Sequence, residues 1–222
     1  MKLEITSFDI APQALNDWAC QIADSQKSNE IFLLARLFEK SNDSLPFDFP
    51  ITIELNESPD FILHQDNSCI GLEVTEFRAE QRARAEHLAS NNGTGLSLTP
   101  FDYDSPKRTN DEISSRIQQD KPGLSNWVSI DSRIDIHSAK ITEIIEKKIH
   151  KVIDPSSNLF DEHWLVIDDR MFMGDLELNE LLPRVQEHLN SQKETQSFNA
   201  IFFVFLNSVR GFRKSKLKYL PS

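Results

Sequence analysis

The chain has 222 residues, of which 39% are hydrophobic and 27% charged, and it carries a formal net charge of −11. That length and balance suit a single globular domain over residues 1–222 with a core of its own. They leave no apolar run near the ~20 residues that span a bilayer, and the acidity speaks against a simple nucleic-acid coat, which is normally basic.

The opening Met1-Lys2-Leu3-Glu4-Ile5-Thr6 lacks the apolar core of a signal peptide. Cys20 and Cys69 stand in unrelated contexts with no metal-ligand spacing. A reduced, cytoplasmic protein with no membrane association is the expectation.

Residues 12–24 predict a short helix, with Pro12 at its start and Ala14, Leu15, Trp18, Ala19 and Ile22 on one face. A second helix is expected to begin at Ser28 as N-cap, with Glu30 in its first turn. Its buried stripe is Ile31, Leu34, Ala35 and Phe38, and it ends near Asn42.

The period then changes. Ile51-Thr52-Ile53-Glu54-Leu55 alternates as a half-buried strand does. Pro59-Asp60-Phe61-Ile62-Leu63-His64 predicts a strand entered through a proline. Gln65-Asp66-Asn67-Ser68 has turn chemistry, and Cys69-Ile70-Gly71-Leu72-Glu73-Val74-Thr75 predicts the returning strand. Three consecutive strands imply a meander.

Residues 77–90 are helical in composition and stop at Asn91-Asn92-Gly93-Thr94-Gly95. The stretch 91–130 predicts a long irregular insertion, partly helical near 110–119. A helix follows over 137–153, then a buried strand at His163-Trp164-Leu165-Val166-Ile167, a helix over about 176–190, and the most apolar strand at 198–206. The order predicts an α/β fold, a mixed sheet flanked by helices. Residues 208–222 carry Arg210, Arg213, Lys214, Lys216 and Lys218 with no acidic residue. Such a tail could hold a phosphate backbone or be a plain solvated terminus, and the second is the default.

Asp60 and Glu73 carry the chemistry. If the turn at 65–68 closes a hairpin, residues whose numbers sum to about 133 face one another, so Asp60 meets Glu73. Two carboxylates at that spacing repel unless a cation or a shared proton relieves them. Hard divalent ions such as Mg²⁺ prefer oxygen ligands of this kind. The bland alternative is a solvent-facing Glu73 on an edge strand. Against it, Ile70, Leu72, Val74 and Phe77 give the strand an interior character, and polar groups there need partners.

The stretch Pro59-Asp60-Phe61, a short hairpin, then Gly71-Leu72-Glu73-Val74-Thr75-Glu76 resembles the PD-(D/E)XK nuclease superfamily. The helix before it and the helix and strand after it are similar to that superfamily's α-β-β-β-α-β core. The likeness covers about 28–76 and 137–206, leaving about 77–136 as an insertion after the third core strand. It implies a restriction-endonuclease-like domain that cleaves nucleic acid, DNA being the expected substrate, with Mg²⁺ or Mn²⁺ held by Asp60 and Glu73. A role in defence or repair is implied by the family alone.

One position departs from the pattern. The superfamily usually has lysine two residues after the acidic residue, and Thr75 stands there. Variants carry the lysine on the following helix, where it orients the attacking water and offsets developing charge. At 100° per residue, Lys148 falls about 20° from Ile141, inside the apolar stripe that includes Ile145 and Val152. Lys147 and Lys151 point away from it. A lysine on that stripe must either snorkel outward or meet a carboxylate, and Lys148 is the candidate for the migrated lysine.

The resemblance also implies an acidic residue from the first core helix. Glu30 is the candidate and Glu39 the reserve, though a first-turn carboxylate also has an ordinary place beside the helix dipole. Thr75 and Glu76 would support the metal or a water. Other catalytic patterns are missing: the histidines show no HExxH or Cys/His spacing, Gly93-Thr94-Gly95 lacks the context of a phosphate loop, and there is no nucleophile elbow. The rival expectation is a catalytically inactive protein of the same fold, immunity- or antitoxin-like, whose acidic body binds a basic protein partner.

Overall fold

The computed structural model describes residues 1–41, 45–66, 68–78, 80–91, 108–118, 130–152, 159–170, 175–191 and 197–213. In chain order these form β1 (Lys2–Ile5), α1 (Ala11–Gln21), α2 (Ser25–Lys40), β2 (Ile51–Leu55), β3 (Phe61–Gln65) and β4 (Ser68–Phe77). There follow α3 (Glu80–Asn91), α4 (Asn110–Gln118), α5 (Ile130–Val152), β5 (Glu162–Asp169), α6 (Asp175–Ser191), β6 (Ala200–Val204) and β7 (Val209–Arg213). The strands make one seven-stranded sheet in the order β1-β2-β3-β4-β5-β6-β7.

β1 pairs antiparallel with β2 after a long connection that carries α1 and α2, and β2 to β4 follow as an antiparallel meander joined by short turns. A crossover through α5 then makes β5 parallel to β4, and one through α6 makes β6 parallel to β5. β7 folds back antiparallel on β6. Parallel strands covered on both faces read as continuous apolar runs. That is why β6 is Ala200-Ile201-Phe202-Phe203-Val204, buried throughout.

Alternation sorts the side chains between two cores. Leu72, Val74, Trp164, Val166 and Phe202 face α1 and α2, among Leu15, Ile31, Leu34 and Phe38. Leu165, Ile167 and Phe203 face the other way, against Ile141 and Ile145 of α5 and Leu181 and Val185 of α6. Burying each such side chain contributes roughly 1.5–3 kcal/mol before entropy is charged against it. The sheet is therefore clamped on both sides, and α2 and α5 lie on opposite faces.

Several expectations need correction. Asp24, not Ser28, caps α2: its Oδ1 accepts the N–H groups of Gln26 and Lys27 at 2.8 and 3.1 Å. Ser28 instead donates its hydroxyl to the Ala19 carbonyl. The helix thus starts four residues earlier, and Glu30 lies in its second turn. α5 begins at Ile130, because Ile134 and His137 extend the buried stripe backwards; the expected insertion over 77–136 therefore overlaps it. Within that insertion α3 and α4 are helical, and residues 92–107 and 119–129 lie outside the described residues.

Two edge strands, β1 and β7, escaped the pattern. β1 is four residues long and only Ile5 of it is fully buried. β7 claims Arg210 and Arg213, which the sequence assigned to a basic tail; Lys214, Lys216 and Lys218 lie outside the described residues.

Candidate metal and catalytic site

β3 and β4 pair with the predicted register: Phe61 faces Leu72, Ile62 faces Gly71, and Gln65 faces Ser68. Asp66 takes a φ of 43°, a left-handed conformation that Asp tolerates in a tight turn. Pairing stops at Phe61, so Asp60 arrives beside Glu73 as the ladder ends.

β4 does not stop there. It continues to Phe77, held on its other side by β5 as far as Asp169. Residues 74–77 therefore run past the start of β3, and a notch opens beside them. The Asp60 carboxylate caps its first position, accepting the Val74 N–H at 2.9 Å in place of a strand carbonyl. Gly71 makes the approach of this segment feasible. A β-carbon there would meet Pro59 Cγ at 3.0 Å and the Phe160 ring at 3.1 Å.

Lys148 enters the notch from α5. Its Nζ donates to Glu73 Oε2 at 2.7 Å and to the Val74 carbonyl at 3.3 Å, and lies 3.7 Å from Asp60 Oδ2. The lysine meets the carboxylates and does not snorkel outward. Its side chain is 18% exposed, against 6% for Asp60 and 2% for Glu73. Two carboxylate oxygens sharing one ammonium at those distances are at most about 6.4 Å apart. At an effective dielectric near 20, two like charges so placed repel by roughly 3 kcal/mol. One ammonium offsets only one of the two charges.

Among the four predicted site residues, Glu30 is the one the structure holds apart. It is 9% exposed on α2, on the opposite face of the sheet from Lys148. Gln26 Nε2 donates to its Oε1 at 3.0 Å, and Lys27 Nζ lies 3.0 Å from its Oε2. The link to Asp60 is indirect: Lys27 also donates to the Asn56 carbonyl, and the Asn56 N–H donates to the Asp60 carbonyl. Among the described residues, no group of three or more His, Cys, Asp or Glu is placed to hold a metal ion.

The other candidates are engaged elsewhere. Glu39 pairs with Lys40 at 2.7 Å, about 13 Å along α2 from Glu30 at 1.5 Å per residue. Glu76 pairs with Arg78 and Arg170, both at 3.1 Å. Thr75 lies on the same side of β4 as Glu73, partly exposed.

Sequence reasoning missed Asp168-Asp169-Arg170, which ends β5. Asp168 is fully buried on the α2 side, with both oxygens 2.5 Å from Arg36 Nη1 and Oδ2 2.7 Å from Arg170 Nε. Asp169, on the α5 side, lies 2.5 Å from His137 Nε2, and both residues are buried. The signal was legible: two adjacent acids closing a buried strand send one carboxylate to each face, and each needs a partner from the covering helix.

Family models, curated proteins and solved structures were compared with the chain, and none matches. The α/β architecture with a seven-stranded mixed sheet stands on the structure itself. Among the described residues, no helix is long and apolar enough to cross a membrane.

The donor set suits a hard divalent cation. Asp60, Glu73 and the Val74 carbonyl present only oxygens, they converge on one point, and that point already carries a positive charge. The net negative charge left by two carboxylates and one ammonium leaves room for Mg²⁺ or Mn²⁺, with water or phosphate oxygens completing the shell.

Proposed function

We propose that the protein is a metal-dependent nuclease of the restriction-endonuclease-like type, hydrolysing phosphodiester bonds of nucleic acid, with DNA as the expected substrate. The observation that carries this reading is the convergence of Asp60, Glu73 and Lys148 in the notch where β4 outruns β3.

Asp60 and Glu73 would hold the cation, with the Val74 carbonyl as a third oxygen ligand. A divalent ion in that position supplies Lewis acidity toward the scissile phosphate. The chain's own residues do the rest. Asp60, tied to the Val74 N–H, presents an oxygen fixed by backbone rather than by a flexible side chain. Lys148 holds its ammonium beside Glu73, where it can orient a water by hydrogen bonding and offset charge on the phosphorus oxygens in the transition state. Glu30 acts at one remove, by setting Lys27 against the loop that delivers Asp60.

Supercoiled plasmid, single-stranded DNA and RNA incubated with Mg²⁺ or Mn²⁺ test the reading. Cleavage is expected in at least one, stopped by chelator and by Asp60→Ala or Glu73→Ala. Undiminished cleavage in both variants would move the active site elsewhere.

The second reading, an inactive relative that binds a basic protein, is favoured by one observation: no third acidic residue joins Asp60 and Glu73 among the described residues. It predicts no cleavage with any divalent ion and tight association with a basic partner.

A further inference from the structure

A second constellation lies at the carboxyl ends of the parallel strands, the region where open α/β sheets bind ligands. Arg36, Glu39 and Lys40 from the last turns of α2, Asp169 and Arg170 from the end of β5, and Leu206 after β6 line a cavity of about 380 Å³. Three cationic residues line this one concavity against two acidic ones, Glu39 and Asp169, in a chain whose net charge is −11.

The bonds of Arg36 and Lys40 to described residues leave capacity. Arg36 reaches Asp168 through Nη1 alone, and a guanidinium has five N–H donors. Its Nε and Nη2 make no hydrogen bond with any described residue. Among the described residues Lys40 pairs only with its neighbour Glu39, whose side chain is 52% exposed. An exposed pair of that kind is worth no more than about 1 kcal/mol, so an incoming anion displaces it at little cost. Arg170, 44% exposed, is held by Asp168 and Glu76 with its head at the cavity. Planar, fixed guanidinium groups suit phosphate oxygens.

β4 ties this cavity to the candidate site. Arg170 is bonded to Glu76, three residues beyond Glu73 on β4 and, by alternation, on the opposite side of the strand, so the cavity lies round the edge of β4 residues 74–77 from Asp60 and Glu73.

We propose that the cavity of Arg36, Lys40 and Arg170 grips a backbone phosphate of the substrate strand on the far side of β4 from the bond positioned at Asp60 and Glu73. The proposal rests on the nuclease reading. Arg36 and Arg170 are backbone anchors that fix the strand's path, and they take no part in the chemistry. Asp168, buried beneath them, holds the two guanidinium groups in place.

Fluorescence anisotropy of a labelled single-stranded oligonucleotide, titrated in chelator at several salt concentrations, tests it, with cleavage by the wild type in Mg²⁺ measured separately. Lys40→Gln and Arg170→Gln should each weaken binding several-fold at low salt and reduce the slope of log affinity against log salt by about 0.7. Lys40→Gln leaves the buried Asp168 pairs intact, so it reports even if Arg170→Gln disturbs the fold. Wild-type affinity and slope in Lys40→Gln, or no oligonucleotide binding in chelator, would overturn the proposal. If cleavage in Mg²⁺ persists in that case, the nuclease reading survives without it; if the wild type does not cleave, both fall.

Discussion

Lys148 Nζ sits 2.7 Å from Glu73 Oε2, although seventy-five residues separate the two in the chain. The pair joins the middle of β4 to the sixth turn of the helix that covers it. Without the ammonium, Glu73 and Asp60 would be two buried carboxylates facing each other across a notch.

Removing that ammonium should therefore cost stability as well as activity. Lys148→Ala is expected to lower unfolding free energy by about 2–3 kcal/mol, less than a fully buried pair because Lys148 is partly exposed. Mg²⁺ should restore more of the loss in the variant than it adds to the wild type, since it replaces the missing positive charge. Thermal melts with and without Mg²⁺ measure both effects. Equal metal shifts in the two proteins would mean that the cation does not bind at these carboxylates.

Asp60 has a second task, as the acceptor for the Val74 N–H. Asp60→Asn keeps an oxygen acceptor and should stay within about 1 kcal/mol of wild type, whereas Asp60→Ala leaves the amide unsatisfied and should cost about 1–3 kcal/mol. Both should lose metal-dependent cleavage. Denaturant melts alongside a cleavage assay separate the two tasks.

His137 anchors the other end of α5, against Asp169 at 2.5 Å and edge-on to the Phe77 ring at 4.8 Å. It stands eleven residues before Lys148, three turns along nearly the same face. His137→Ala should destabilise the protein by about 2–4 kcal/mol, since a buried carboxylate loses one of its partners. Hydrogen exchange should quicken first in the opening turns of α5. Unchanged protection there would remove the helix-anchoring role.

Glu143, on the outer face of α5, gives a pH signature. Hydrogen bonds from Lys140 and Lys147 hold its carboxyl at about 2, well below the ordinary 4.5. A carboxyl lowered on folding contributes stability that is present above the unfolded value and lost as pH falls from about 4.5 toward 2. NMR titration of the Glu143 carboxyl should give a midpoint near 2. Lys147→Ala, or high salt, should move it back toward the ordinary value.

The two cysteines should differ in reactivity. Burial, and then the charges of Asp161 and Glu54, push the Cys69 thiol up, so its thiolate is scarce near neutral pH. Cys20 is exposed. Iodoacetamide labelling followed by mass spectrometry should modify Cys20 first; faster labelling of Cys69 would contradict the assigned environment.

The hairpin register was legible in the sequence because a two-residue turn leaves one pairing that keeps Phe61, Leu63, Ile70 and Leu72 all inward. Lys148 was legible for a related reason: helical period placed it beside Ile141 and Ile145, both buried, where a charge requires a partner. Glu30 was misjudged because its assumed cap lay four residues late; Ser28 and Asp24 are both acceptable caps, and only the fold decides between them. β1 and β7 carry little periodic signal, since short edge strands take their order from the neighbour they pair with. Asp168-Asp169 at the end of a buried strand announces that each carboxylate needs a partner, but not that Arg36, over a hundred positions away, supplies one.

The central claim, that Asp60, Glu73 and Lys148 form a metal-dependent hydrolytic site, is tested most directly by the single-turnover cleavage rate at saturating Mn²⁺ for wild type and Glu73→Gln. The substitution keeps the shape of the side chain and an oxygen within reach of Lys148, while removing the charge. The account predicts a fall of about 10²-fold or more in a protein that remains folded, comparable to the loss of a single electrostatic group from other active sites. Cleavage by Glu73→Gln at the wild-type rate would contradict it.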